Sequence, residues 1–173
     1  MRRGTQIILV LLFAAFAIAP EMVMAAAGEK PREIHYTPTP PAPKWQPTEA
    51  IDAKSAGCMS CHTETDEPSM HRSGGVPLGC TDCHGGDAMV KKPAEGAPSE
   101  TAYRAALDKA HVQPLYPESW QYPASANPER SYTLLNRESP EFIRFVNPSD
   151  YRVVDESCGA CHAREIRAAK NSL

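Results

Sequence analysis

The chain has no cysteine to spare. Its six cysteines fall in three pairs, Cys58/Cys61, Cys80/Cys83 and Cys158/Cys161, and none stands outside them. Aromatic residues are scarce, 7% with 4 Phe and 2 Trp, and the chain beyond its first 27 residues is also poor in Ile and Val while rich in Pro. Such a composition leaves little with which to bury a core of its own. There is no excess of positive charge either: the formal net charge is −3, which argues against nucleic acid as a partner. One long apolar run exists, Ile7 to Ala19, and its 13 residues are too few to span a bilayer comfortably. Arg2 and Arg3 precede that run, and Ala25-Ala26-Ala27 offers small residues for cleavage, so residues 1–27 read as a secretory signal. Membrane contact is then expected only through this segment if it stays uncleaved. Its removal takes two arginines and one glutamate from the chain and moves the formal charge from −3 to −4.

What is present is a pattern that occurs three times: Cys58-Met59-Ser60-Cys61-His62, Cys80-Thr81-Asp82-Cys83-His84 and Cys158-Gly159-Ala160-Cys161-His162. Cys-x-x-Cys-His is the attachment sequence of a c-type haem. Two thiols at this spacing add to the two vinyl groups of the porphyrin, and the next side chain falls beneath the metal and ligates the iron. Two other readings use the same cysteines. Three disulfides would suit an exported protein, and the first two pairs, 18 residues apart, fit a four-cysteine zinc site. Neither requires histidine after the second cysteine, yet three of the 6 histidines stand there, and a zinc site would orphan the third pair. The sequence therefore implies three covalent haems c with iron as cofactor, held by Cys58, Cys61, Cys80, Cys83, Cys158 and Cys161, with His62, His84 and His162 as metal ligands. Export agrees with this, since c-type haems are attached outside the cytoplasm, and places the protein in the periplasm or beyond the cell.

The expected fold class is mostly α with extensive irregular coil and negligible β, a small multihaem arrangement in which the haems form the core. Four segments are expected: the signal 1–27, a proline-rich arm 28–49, a two-haem module 50–95 and a third-haem module 96–173. Pro31, Pro38, Pro40, Pro41, Pro43 and Pro47 make the arm extended and non-helical, with Trp45 as a staple onto the domain surface. Residues 50–62 read as a short helix carrying the first motif, and Gly85-Gly86 as a stop after the second. Ser99 reads as the cap of a helix from Thr101 to His111, on which Tyr103, Leu107 and His111 share one face. Residues 112–138 read as coil, packed by Trp120, Tyr122 and Tyr132. Ser139-Pro140 starts a short helix with Phe142, Ile143 and Val146 inward, ended by Asn147-Pro148. Asp155 or Ser157 is expected to cap a last helix that carries the third motif, with Arg164, Arg167 and Lys170 as a cationic stripe.

Three histidines lie outside the motifs: His35, His71 and His111. Equal numbers suggest three bis-histidine irons. Met59, Met70 and Met89 are the competing donors, and methionine would raise the potential where histidine leaves it lower. His71 lies midway between the first two motifs, and His111 ends an apolar stripe. His35 rides on a stiff arm that advances about 3.1 Å per residue. A dozen such residues reach about 37 Å, enough to meet a haem of a neighbouring chain and to link protomers into a homo-oligomer or filament.

With these motifs, together with Ser69-Met70-His71 ahead of Leu78-Gly79-Cys80-Thr81-Asp82-Cys83-His84-Gly85-Gly86-Asp87, the chain resembles the multihaem c-type cytochromes of anaerobic respiration. The resemblance covers residues 50–90 well. The stretch from Ala110-His111 through Phe145-Val146-Asn147-Pro148 to His162 is similar to the opening part of longer members. It implies motif histidines that ligate iron, stacked porphyrins that pass electrons, and other redox proteins or multihaem cytochromes as partners. Electron transfer is thus the expected function. A reductase of nitrogen or sulfur oxyanions, or a peroxidase, is the alternative, and would need one haem with an open face; the third has no spare histidine nearby and has Arg152, Arg164 and Arg167 close in sequence. A structural subunit of a larger haem assembly is the third reading.

Overall fold

In a computed structural model of the chain, residues 29–63, 75–94, 99–120 and 132–172 are described. Six helices occur among them: α1 (Thr48–Ala53), α2 (Ala56–Cys61), α3 (Cys80–His84), α4 (Glu100–Ala110), α5 (Pro140–Val146) and α6 (Val154–Lys170). Two 3-10 turns, Pro117–Ser119 and Tyr132–Arg137, precede α5. Among the described residues there is no strand, so the mostly α class with much coil is what the chain adopts. The signal segment, His71, Met70 and Tyr122 lie outside the described residues.

The local rules act where the sequence places them. Ser139 Oγ accepts the Phe142 amide and Pro140 fills the first turn of α5, which stops at Val146 before Asn147-Pro148. Ser99 Oγ accepts the Ala102 amide, so α4 opens at Glu100 and closes at Ala110, with His111 as its C-cap. Gly85 and Gly86 end α3 with φ of 70° and 80°, a backbone conformation that costs glycine nothing.

Four expectations are corrected. The helix expected over 50–62 is two, because the chain turns at Lys54-Ser55 between α1 and α2. Residues 132–137, expected as coil, form a 3-10 turn. Neither Asp155 nor Ser157 caps α6: its N-cap is Val153, with no side-chain bond, while Ser157 Oγ donates inward to the Pro148 carbonyl. Trp45 is 72% exposed and staples nothing.

The polypeptide does bury a small core. Trp120, Leu135, Phe142, Ile143, Val146 and Val153 form one cluster, closed at its side by Val112, Leu134 and Phe145. The expected inward face of α5 is therefore real. Burial of each such side chain is worth about 1.5–3 kcal/mol. The Glu138 carboxylate sits beside this core and accepts from Leu115 N, Tyr116 N and Trp120 Nε1 at 2.6, 3.2 and 2.8 Å.

The proline-rich arm is extended and lies on its own domain. Glu29 accepts from Glu118 N and Ser119 Oγ, Arg32 N donates to Leu115 O at 2.8 Å, and Tyr36 Oη donates to Gln113 O at 2.8 Å. Farther along, Ala42 N donates to Glu156 O at 2.7 Å. Proline lacks an N–H and holds the arm straight, so the bonds come from the non-proline positions between. These contacts in cis hold the arm along its own domain.

Candidate cofactor-binding site

The three motifs, far apart in sequence, open onto one cavity of about 850 Å³. Cys58, Cys61, Cys80, Cys83, Cys158 and Cys161 line it, with His62, His84, His162 and His111. The rest of the wall is largely apolar, including Val76, Leu78, Leu107, Phe145, Val154 and Ile166. None of the six cysteines is in a disulfide.

The second motif is the middle one. Its helix α3 packs against both α5 and α6. Toward the first motif, Thr81 N donates to Lys54 O at 3.2 Å and Cys80 N to Ser55 Oγ at 3.1 Å. The buried Asp82 carboxylate accepts from Lys54 Nζ, Gln46 Nε2 and Gly79 N at 2.5, 2.5 and 2.8 Å. These bonds fasten α3 to the turn between α1 and α2. The thiols of Cys58 and Cys80 meet across this junction. The hydrogen bond from Cys58, helped by that from Ser55, holds the Cys80 thiol down to about 6, while Cys58 moves upward. Toward the third motif, Cys83 is raised by burial first and then by the nearby Cys158.

Backbone closeness sets the first motif. Gly57 N donates to Ala88 O at 2.8 Å, and a Cβ on Gly57 would stand 2.2 Å from Val90 O. Only glycine lets the segment after the second motif run against the helix of the first.

The histidines show donor geometry. His84 Nδ1 stands 2.7 Å from the Phe145 carbonyl. A carbonyl only accepts, so Nδ1 carries the proton and Nε2 keeps its lone pair for a metal. His111 faces His62 with ring centres 6.1 Å apart and planes at 46°. Two imidazoles bound to one metal through nitrogens at about 2 Å each hold their ring centres about 6 Å apart. The two imidazoles thus stand at the separation that one shared metal would need. Burial, then the neighbouring His62, lowers the His111 pKa and keeps its imidazole in the neutral form that ligation needs. Among the described residues no three His, Cys, Asp or Glu side chains stand close enough to share one ion directly.

The third motif is at the rim, where Cys161 and His162 are exposed. The α6 backbone departs from helical values at His162, with φ −113° and ψ 21°. Lys170 Nζ pairs with Asp155, although an unbroken helix would part these residues by about 22 Å along its axis. The break at His162 bends the second half of α6 back and sends Ile166 into the cavity wall.

His35 is exposed and does not line the cavity. Sequence reasoning missed Phe145 and Arg144, which contact the site from α5. Only the packing of α5 on α3 brings them there, and their own neighbours in sequence carry no motif. Comparison with family profiles, with characterised proteins and with solved structures gives no match.

Proposed function

We propose that this protein transfers electrons through three covalently attached c-type haems. The observation that carries the reading is the shared cavity, onto which all six motif cysteines and all three motif histidines open. Cys58/Cys61, Cys80/Cys83 and Cys158/Cys161 would hold the three porphyrins, with His62, His84 and His162 beneath the irons. His111 would supply a second ligand to the iron held by His62, and His71, which lies between the first two motifs, is proposed for another. Haem iron supplies a one-electron couple, and the chain sets its potential through axial ligand, burial and local charge.

The chain's own residues do the rest. The Phe145 carbonyl orients His84, the Asp82–Lys54–Gln46 network holds motifs one and two together, and apolar walls keep water from the porphyrin faces. Electron transfer needs closely spaced centres that change little on reduction, and the order first–second–third motif is supported by the meeting of Cys58 with Cys80 and by the packing of α3 on α6. Export and redox partners of the same class accompany this reading.

The test is the mass and spectrum of the chain expressed with haem-attachment machinery. The mass should exceed the polypeptide by three haems, and reduction should give a low-spin c-type spectrum. A polypeptide mass alone, or one raised by zinc, overturns the reading.

A further inference from the structure

Arg144 projects from α5 into the ground between the second and third motifs and is only 5% exposed. Its guanidinium donates to five carbonyls. Nε reaches Cys83 O at 3.1 Å and Nη1 reaches Thr39 O at 3.0 Å. Nη2 reaches Asp82 O at 2.6 Å, Pro40 O at 3.0 Å and Glu156 O at 3.4 Å. Two of these carbonyls belong to the second motif, one lies two residues before Cys158, and two belong to the arm. One side chain therefore fastens three segments that are remote in sequence.

Burying a guanidinium is costly, and an apolar side chain of similar volume would pack there without that cost. Carbonyl oxygens satisfy its hydrogen bonds but carry no net charge, so the site stays positive. Among the described residues no carboxylate forms an ion pair with Arg144. The carboxylates whose charge acts on Arg144 are Glu156, which is exposed to solvent and so screened, and Asp82, which is already engaged by Lys54 at 2.5 Å. Arg144 donates to the Asp82 and Cys83 carbonyls of the second motif and to that of Glu156, two residues before Cys158, whereas the first motif meets the second on its far side, through Lys54 and Ser55. A unit charge in a poorly hydrated interior acts strongly on any neighbouring group that gains or loses an electron.

We infer that Arg144 is the positioning and charge-setting residue of the junction between the second and third motifs. It holds the two attachment segments in register through their carbonyls and favours the added electron on that side of the molecule over the first motif. The inference rests on the three-haem reading and deepens it by giving the chain of centres a direction. A fork of five donors is what the clamp requires, and a fixed positive charge is what the bias requires; Arg supplies both.

The test compares the full-length, haem-loaded protein with Arg144→Lys and Arg144→Met. Haem content is first counted by mass. Each centre is then followed through a dithionite titration by the NMR signals of its haem methyl groups. Arg144→Met should lower the midpoints of the second and third centres by about a tenfold change in equilibrium constant, which is about 59 mV for one electron. Arg144→Lys should keep those midpoints, since the charge remains, while melting earlier than the parent because it cannot span five carbonyls. The first centre should not move in either variant. Equal shifts in Lys and Met, no shift in Met, or an equal shift at the first centre would each overturn the inference while leaving three haems intact. A parent without haem overturns the functional reading itself. If Arg144→Met does not accumulate, the parent decides alone: its first centre must have the lowest midpoint, and a first centre with the highest one refutes the bias.

Discussion

Phe145 stands against the His111 ring with centres 5.1 Å apart, and its own carbonyl takes the Nδ1 proton of His84 at 2.7 Å. One residue of α5 thus bears on histidines from two different parts of the site, and its ring also meets His84 edge-on at 6.4 Å. Phe145→Ala keeps the carbonyl and removes the ring. We expect both irons to stay low-spin, with altered rhombic g-values in the paramagnetic resonance spectrum, because ring packing sets the planes of the imidazoles. Unaltered g-values would show that the ring has no such role.

His111→Ala should convert one haem of three from low-spin to high-spin, since it removes the ligand proposed opposite His62. The other two should be unaffected. Absorbance in the long-wavelength charge-transfer band and carbon monoxide binding at one site per chain are the measurements. His71→Ala, tested in the same way, should open a different haem, and the double variant should open two.

His35→Ala tests the arm. The side chain is exposed and outside the cavity wall, so in the isolated chain the spectrum should keep all its low-spin intensity. Tyr36→Phe, by contrast, removes the bond to Gln113 O and should cost about 1 kcal/mol of stability by denaturant titration. A high-spin fraction in His35→Ala would support the histidine as a ligand, as the sequence suggests.

The small polypeptide core should be sensitive to truncation. Phe142 is fully buried and meets Trp120 edge-on at 5.4 Å, so Phe142→Ala should cost about 3–5 kcal/mol. Ser139→Ala removes the cap of α5 and should cost about 1 kcal/mol. Thermal melts of haem-loaded protein give both values, and the ordering Phe142 above Ser139 is the check.

Acid sensitivity should carry a contribution from Asp150. The hydrogen bond from Arg152 holds its carboxyl below the ordinary 3.8, and Arg152 is raised in turn. The folded state therefore keeps Asp150 ionised to lower pH than the unfolded chain does. Its stabilisation is complete above about pH 4 and is lost as pH falls through the lowered folded value. Asp150→Asn should melt below the parent at pH 5 and approach it near pH 2; a constant gap across that range would contradict the assignment.

The three motifs that suggest attachment chemistry were legible in the sequence because they are local. Two thiols and a histidine within five residues need no tertiary context to declare what they can hold, and the scarcity of cysteine left no rival use for them. Caps and stops were legible for the same reason: Ser139-Pro140, Ser99 and Gly85-Gly86 act on the backbone within one turn. Residues 132–137 were misread because a 3-10 turn has no apolar period of its own. Tertiary packing alone decided that the second motif lies between the other two, that His111 faces His62, and that the arm folds onto its own domain. Those outcomes depend on contacts between residues tens of positions apart, such as Lys54 with Asp82, and on burial that composition does not reveal. Arg144 is the extreme case. In sequence it is one cation on a short apolar helix; in space, the close packing of α3, α5 and the arm brings five carbonyls within reach of its guanidinium.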